Sequence, residues 1–385
     1  MQLPPLQVET GDVLLSGNPA SPLQPVLVSD KQHMPALDGL RGFAAVIVLL
    51  SHLHLFSWNT DNLGRGGVML FFALSGFLMA HLHLRQAFNT ASVRRFCAAR
   101  IARIVPLYYA VVLMGYLAAQ GIGFGVFSEY AMDAPQLLRH LLFVGNISVF
   151  WSVGPEFQFY GFFVLVWAIT LLSGARRRVA LAALVVFAVA CYLATPRLPG
   201  IVFASKLQVF LVGVCVALLR WWLAERRPPA PMTRQWLQLA ACVAVLALIL
   251  PSSHAVLLLL DGPAMSLYSR WYFADLPRVA GAGLVVLAFS YSTAASQRLL
   301  GNPLMRELGR ASFSLYLLHE PVIGLLRELG LLSSLNPWLA GALCLVLSAL
   351  LSSAVNRLYE TPARIWVTRR LAPRQIPAAM PVPAS

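Results

Sequence analysis

The sequence predicts an all-α fold, a polytopic integral membrane bundle of about ten transmembrane helices. Its 385 residues are 58% hydrophobic and only 11% charged, and the mean hydropathy is +0.71. Apolar runs close to the length that crosses a hydrocarbon core recur along the chain. No water-soluble domain of this length needs so much apolar surface, so we expect the protein to reside in a membrane.

The runs expected to span are distributed over most of the chain. They cover 37–57, 67–84, 104–119, 157–172, 179–194, 201–223, 236–250, 279–291, 313–329 and 338–358. A further apolar piece, 137–150, is too short to span and is followed by Gly154-Pro155, a pair that disfavours a helix interior. We therefore expect a broken or re-entrant segment near 137–156, covered by protein or lining a cavity.

The net charge of +14 follows the predicted topology. With the N-terminus placed in the cytoplasm, 22 of the 29 lysines and arginines fall on the cytoplasmic side, as the positive-inside rule requires. The predicted location is the inner (plasma) membrane, with multiple spans and with both the N- and C-termini cytoplasmic. Membrane lipids are expected partners of the basic loops, and no nucleic acid is expected.

Three segments are predicted along the chain. Residues 1–36 are expected to be a disordered cytoplasmic tail, 37–360 the transmembrane domain and 361–385 a cytoplasmic C-terminal tail. The five cysteines are scattered in or beside apolar runs, without CxxC or histidine spacing. They are expected to be buried thiols, and neither a disulfide nor a metal site is predicted.

Arg41 and His52 interrupt the first apolar run, eleven residues apart in LDGLRGFAAVIVLLSHLHLF. On a helix they lie about 16 Å apart along the axis, roughly half a bilayer. Each alone has an ordinary explanation, Arg41 as an inner-leaflet anchor and His52 as an interfacial histidine. Together on one helix they favour a functional site, because ionisable groups at membrane depth are costly.

Three later positions add candidates. In VMLFFALSGFLMA, Ser75 and Gly76 either allow close helix packing or shape a substrate passage. In RRFCAARIARIVPLYY, Arg100 and Arg103 are either ordinary basic loop residues or a bidentate phosphate clamp. In FWSVGPEFQFY, the carboxylate of Glu156 lies where a broken helix re-enters the membrane, which favours a substrate or imidazole contact.

Neighbouring polar residues complete the predicted site. The stretch around Glu156 also carries Trp151, Ser152 and Tyr160. Late in the chain, SFSLYLLHEPV carries Tyr316 and His319, with Glu320 beside the histidine. His319 is either a second site residue or a histidine whose partners lie within the bundle.

Taken in order, five motifs resemble the acyltransferase-3 family of membrane proteins, which transfer acyl groups to sugars. They are LDGLRG with its following histidine, GVxLFFxLSGFL, RxxRIxPxYY, WSxxxExxFY and SxYLxHxP. The resemblance implies a cytosolic acyl-coenzyme A donor, with acetyl as the expected acyl group, and an extracytoplasmic carbohydrate or glycolipid acceptor. It also implies that Arg41 and His52 are the family's paired residues, Arg100 and Arg103 its arginine pair, and Glu156 its carboxylate.

Two departures from the family pattern matter. Members often carry two adjacent acids in the WSxxxE element, but Glu156 is followed by Phe157, and Pro155 replaces an aliphatic residue. The role of the second acid is therefore absent or supplied elsewhere. Many members also append an extracytoplasmic hydrolase-like domain, and we expect this chain to complete its transfer without one.

The predicted reaction is an O-acyl transfer from acyl-coenzyme A, a donor substrate rather than a permanently bound cofactor. His52 is the expected base, acting directly or through an acyl-histidine, while Glu156 orients the imidazole or the sugar.

The alternative function is a flippase or proton-coupled carrier that uses the same groups as a relay. Residues 121–155 and 251–276 are the candidate acceptor loops, and the sugar contacts considered in the second are Asp261, Trp271, Tyr272 and Asp275.

Overall fold

The computed structural model describes residues 34–53, 61–122, 125–249 and 271–372, and these residues form helices without a strand. The α-helices are α1 (Pro35–His52), α2 (Asp61–His83), α3 (Thr90–Ala119), α4 (Ala134–Leu141), α5 (Val153–Ala168), α6 (Gly174–Ala194), α7 (Leu207–Arg226), α8 (Pro231–Ile249), α9 (Leu276–Ser290), α10 (Ala294–Leu299), α11 (Pro303–Arg310), α12 (Ser312–Glu328), α13 (Leu331–Ser334), α14 (Pro337–Val355) and α15 (Thr361–Leu371). Four short 3₁₀ segments and one π segment join them.

The predicted polytopic helical architecture is confirmed. Among the described residues, eight helical stretches are long and apolar enough to cross a membrane, and the apolar α9 is shorter. Each of the ten predicted runs overlaps one of the helices. Residues 1–33 of the predicted N-terminal tail, Asp261 and most of the second candidate acceptor loop lie outside the described residues. The last two residues of that predicted tail begin α1.

The long helices run alternately in opposite directions, so their ends define two sides of the bundle. We call the side where α1 and α3 begin the arginine side, and the side where α1 ends the histidine side. An ion pair between Arg85 and Glu225 joins the ends of α2 and α7 on the arginine side. Arg327 pairs with Glu129 on the histidine side.

Close packing of α2 on α7 holds the centre of the bundle. A Cβ on Gly76 would lie 1.9 Å from the carbonyl oxygen of Phe210, and one on Gly213 would lie 2.0 Å from that of Ala73. The rings of Phe72 and Phe210 fill the space beside this crossing, with centroids 4.6 Å apart. The predicted packing role of Gly76 is therefore confirmed, because no larger residue fits there.

The predicted broken segment precedes α5. Helix α4 ends at Leu141, and helical structure resumes with the 3₁₀ segment Ser148–Ser152. The break contains two residues with positive φ, Phe143 at 58° and Ser148 at 41°. The sequence suggested that Pro155 breaks a helix, and this is wrong. Pro155 lies in the first turn of α5, where its missing N–H removes no helical hydrogen bond.

Helix α15 continues from α14 through the π segment Asn356–Glu360. Helix α15 covers the start of the segment, 361–385, that the sequence assigned to a C-terminal tail. The junction is tied to the bundle, because Ser314 Oγ donates to Glu360 at 2.6 Å and Tyr359 donates to the carbonyl of Pro106 at 3.1 Å. Helix α15 then packs mainly along α3.

The five cysteines are free thiols. Cys191 and Cys344 are buried, but Cys215 and Cys242 are exposed on the outer surface of the bundle, so the prediction that all are buried is wrong. A thiol is apolar enough to face either lipid or protein in a membrane bundle, so an apolar run does not separate the two environments.

Candidate functional site

His52 lies at the last turn of α1, where its ring has a partner on each nitrogen. Nδ1 lies 2.9 Å from the carbonyl oxygen of Val48, so we assign the ring proton to Nδ1, which donates to that carbonyl. Nε2 then faces the carboxylate of Glu320 at 3.3 Å. The imidazole therefore offers a basic nitrogen next to a group that stabilises positive charge on the ring.

His319 supports His52 from the facing helix, α12. Its side chain is fully buried, and its Nδ1 lies 3.1 Å from the carbonyl oxygen of Leu315. Its Nε2 lies 3.4 Å from Nδ1 of His52, and the ring centroids are 4.9 Å apart in an edge-to-face arrangement. His319 is thus both a neighbour of His52 and a histidine with partners inside the bundle.

Glu320 is the carboxylate partner of His52, and the sequence did not identify it as such. One of its oxygens faces His52 and also accepts a hydrogen bond from Ser148 Oγ at 3.2 Å. The signal was present in the sequence, since Glu320 follows His319 within an apolar run. Only the packing of α1 against α12 places this carboxylate beside the imidazole.

His52, His319 and Glu320, which we call the histidine cluster, also have a spacing compatible with a metal ion. One ligand atom from each lies within 4.8 Å of the others. The sequence predicted no metal site because no ligand spacing is visible along the chain. Residues from two separate helices form this group, so linear spacing could not reveal it.

A large cavity of about 530 Å³ opens beside His52. Predicted site residues Trp151 and Tyr316 line it. The other lining side chains come from α1, α2, the break before α5, and the regions before α7 and α9, and they include Arg65, Asn146, Ser148, Lys206 and Phe273. Aromatic faces together with amide, hydroxyl and cationic groups suit a polar ligand that also has apolar faces.

Two of the acceptor contacts considered around residue 272, Tyr272 and Asp275, have partners within the protein. Tyr272 is fully buried and donates to the carbonyl of Leu248 at 2.6 Å. Asp275 pairs with Arg278 at 2.8 Å. Phe273, rather than Trp271 or Tyr272, is the residue from this stretch that lines the large cavity.

A second, narrow cavity of about 30 Å³ lies toward the arginine side. Predicted site residues Arg41, Arg103, Ser152 and Glu156 line it, together with Ser312. Arg41 Nε and Ser312 Oγ are buried there without a hydrogen-bond partner among the described residues. Buried donors without partners are costly, so this cavity is set up to receive acceptor groups of a ligand.

Tyr316 and Val68 line both cavities and therefore lie between them. The Tyr316 hydroxyl is held by two groups, the Val149 carbonyl at 2.9 Å and Ser152 Oγ at 2.7 Å. Predicted site residues Ser152 and Tyr316 thus form one contact at the constriction. A ligand reaching from one cavity to the other must pass this point.

Glu156 belongs to the narrow cavity and does not contact the imidazole. It accepts hydrogen bonds from Ser75 Oγ at 2.5 Å and from the Tyr160 hydroxyl at 2.6 Å. The structure therefore contradicts the first of its two predicted alternatives, orientation of His52. Ser75, Glu156 and Tyr160 are brought together as one group, although their predicted roles were separate.

Arg100 and Arg103 extend this region toward the arginine side. The Arg100 guanidinium lies 5.6 Å from the centroid of the Tyr160 ring. Arg103 lines the narrow cavity, and both arginines line a third cavity between α3 and α15. The predicted arginine pair thus connects the constriction to the end of the bundle.

The chain belongs to the acyltransferase-3 family. The family model described as "Acyltransferase domain" matches residues 34–357, which cover all of the motifs identified above. The family and the described structure therefore define a helical membrane protein of the acyltransferase class.

Among its relatives, the chain is 24% identical over 367 residues to the peptidoglycan O-acetyltransferase OatA of Listeria monocytogenes, a match covering 87% of this chain and 56% of the relative. It is 28% identical over 330 residues to the putative peptidoglycan O-acetyltransferase YrhL of Bacillus subtilis, covering 76% and 49%. It is 24% identical over 375 residues to the O-acetyltransferase OatA of Staphylococcus aureus, covering 86% and 57%. The chain thus spans about half the length of these relatives. No solved structure matches it.

Proposed function

We propose that this protein is a membrane O-acyltransferase that moves an acyl group, expected to be acetyl, from cytosolic acyl-coenzyme A to a hydroxyl of an extracytoplasmic carbohydrate or glycoconjugate. The observation that carries the proposal is the arrangement of two cavities about one constriction. A histidine with a carboxylate partner lies on one side of Tyr316 and Val68, and unpartnered donor groups lie on the other.

The donor is assigned to the arginine side. Arg41, Arg103 and Ser312 line the narrow cavity there, and guanidinium groups suit the phosphates and carbonyls of a coenzyme A thioester. Glu156 is a hydrogen-bond acceptor for the amide N–H groups of the pantetheine arm. Because the cavity holds only about 30 Å³, the arm enters only when lining side chains rotate. The excess of basic residues in the loops of this side supports a cytosolic location.

The chemistry is assigned to His52. The acceptor hydroxyl oxygen attacks the thioester carbonyl carbon while its proton passes to Nε2 of His52. Glu320 stabilises the imidazolium that forms, and the Val48 carbonyl holds Nδ1–H in place. Collapse of the tetrahedral intermediate breaks the carbon–sulfur bond, and the departing coenzyme A thiolate takes the proton from the imidazolium. His319 does not line the large cavity and acts only through its contact with His52.

The acceptor is assigned to the large cavity. Trp151 and Phe273 offer faces for a sugar ring, and Arg65, Asn146 and Ser148 offer polar contacts. The names of two relatives specify peptidoglycan, so a glycan of the cell wall is the first acceptor to test. A small soluble glycoside is the appropriate comparison.

The test is transfer of radiolabelled acetyl from acetyl-coenzyme A into cell-envelope glycan by membranes carrying wild type or His52→Asn at matched expression. An asparagine amide preserves a donor near the position of Nδ1 and removes Nε2. We expect label with wild type, a loss of about 100-fold or more with the variant, and unchanged binding of acetyl-coenzyme A by both proteins.

Two results contradict the proposal. Equal labelling by the two proteins rules out His52 as the base. If wild type carries a glycan or lipid-linked substrate across vesicles without consuming the thioester, the protein is a carrier, the alternative considered from sequence.

A further inference from the structure

The third cavity joins the family domain to the helix that follows it. It has a volume of about 370 Å³ and is lined by Ala99, Arg100, Arg103, Arg364, Ile365, Thr368 and Arg369. The lining positions of each helix lie on one helical face. Arg364 and Arg369 belong to α15, which lies beyond residues 34–357 that match the family model.

The charges around this cavity are not balanced by protein. None of its four guanidinium groups pairs with a carboxylate among the residues that the structure describes. Arg100 Nε is buried and has no hydrogen-bond partner in the same part of the chain. Four cations facing one space repel each other, and an anion with several charges relieves that repulsion.

We propose that this cavity binds the 3′-phosphate and 5′-diphosphate of the coenzyme A nucleotide, with α15 supplying two of the four guanidinium groups. A phosphate monoester carries about −1.5 to −2 charges at pH 7, and the diphosphate adds to it, so the charges of nucleotide and site are matched. The guanidinium fork binds phosphate oxygens bidentately, and the Thr368 hydroxyl adds a donor. This inference rests on the proposed function, because it assigns the distal part of that donor.

Continuity with the narrow cavity supports the assignment. Arg103 lines both spaces, so a ligand whose phosphates lie between α3 and α15 enters the narrow cavity next to Arg103. The narrow cavity in turn meets the large cavity at Tyr316. The three cavities therefore lie in sequence between a polyanion site and His52, with Arg103 and Tyr316 at the two junctions.

The attachment of α15 makes it suitable as half of a binding site. The π segment before it is held by the Ser314–Glu360 and Tyr359–Pro106 hydrogen bonds. Arg370 is the internal comparison, because it follows Arg369 but does not line the cavity. Its guanidinium lies 5.6 Å from the ring centroid of Trp366 on the same helix.

The experiment measures binding of adenosine 3′,5′-bisphosphate to the full chain purified in neutral phosphatidylcholine nanodiscs. The proteins are wild type, the double variant Arg364→Gln/Arg369→Gln, and the control Arg370→Gln. We expect the double variant to bind about 10- to 100-fold more weakly and the control to stay within about two-fold of wild type. Arg364→Lys/Arg369→Lys, which keeps the charge, should recover part of the affinity, and equal melting temperatures show that the variants fold.

Three results overturn the inference. Unchanged affinity in the double variant removes α15 from the site. Equal weakening by Arg370→Gln shows a diffuse basic surface rather than a built site. If wild type does not bind the nucleotide but retains anionic phospholipid through purification, and the double variant loses that lipid, the same arginines hold a lipid headgroup instead.

Failure of the two proposals can be told apart. Binding of adenosine 3′,5′-bisphosphate needs neither thioester nor acceptor, so it persists if acyl transfer fails. Conversely, the inference is overturned if wild type transfers acetyl and the double variant has the same KM for acetyl-coenzyme A. That result leaves the proposed function intact.

Discussion

The histidine cluster differs from the third cavity, which is lined by Arg100, Arg103, Arg364 and Arg369 and is called the arginine cavity below, in whether its polar groups have partners within the protein. In the histidine cluster each imidazole nitrogen of His52 and His319 is near a carbonyl oxygen, a carboxylate or the other ring. Around the arginine cavity the guanidinium groups lack carboxylate partners among the described residues, and Arg100 Nε has no hydrogen-bond partner there.

This difference indicates that the histidine cluster is organised before the substrate binds, whereas the donors of the arginine cavity are left for a ligand. A base must be held in one orientation before its substrate arrives, so the partners of His52 are part of the protein. A binding site for a charged ligand keeps its donors free, because the ligand supplies their partners. Substitutions should therefore change the rate of the chemical step in the first region and the affinity for the donor in the second.

The largest effect is expected at Glu320. Glu320→Gln replaces the carboxylate with an amide that cannot stabilise an imidazolium and can donate its N–H to Nε2 of His52. We expect kcat to fall about 100-fold, with the donor KM unchanged. Steady-state acetyl transfer checks both quantities.

Glu129→Gln is the matched control, since Glu129 pairs with Arg327 at the surface of the same side. It should stay within about two-fold of wild type.

A metal role for the histidine cluster gives a different pattern: chelation would abolish wild-type activity and zinc would restore it. We expect no loss on chelation, because Nε2 of His52 must remain free to take the proton.

A smaller effect of the opposite kind is expected at Arg103. Arg103→Gln removes the guanidinium shared by the narrow cavity and the arginine cavity, so the donor KM should rise about 10-fold while kcat changes little. Arg94→Gln on the exposed face of the same helix is the control. A fall in kcat with an unchanged KM would assign Arg103 to the chemical step and remove the distinction between the regions.

The smallest effect concerns the support of α15. Glu307 accepts hydrogen bonds from Arg310 and, at 2.7 Å, from Arg357, which lies within the π segment. Its hydrogen bonds to Arg310, then to Arg357, lower the pKa of the carboxyl below its ordinary value of 4.5, and partial burial opposes them. The pair therefore contributes its stability above pH 4.5 and loses it as the pH falls through the lowered pKa.

Glu307→Gln should accordingly destabilise the protein by about 0.5–1 kcal/mol at pH 7, and by less at pH 3.5. Thermal unfolding of the purified protein at the two pH values measures the difference. An equal loss at both would show that packing rather than charge is responsible.

Several site residues could be predicted because their chemistry conflicts with their surroundings in the sequence. Arg41, His52 and Glu156 interrupt apolar runs. His52 lines the large cavity, and Arg41 and Glu156 line the narrow cavity that meets it at Tyr316. The partner of the imidazole could not be predicted, since Glu156 and Glu320 are both carboxylates within apolar stretches. The choice between them depends on which helix packs against α1.

The sequence by itself determined that the protein is a membrane bundle, the approximate positions of its helices, and its family, because composition and local motifs carry that information. Only the tertiary structure decided that Glu320 rather than Glu156 faces His52, that Tyr316 separates two cavities, and that α15 completes an arginine cavity. These relations join residues far apart in the chain, and they arise from the close packing of helices, which no linear spacing records.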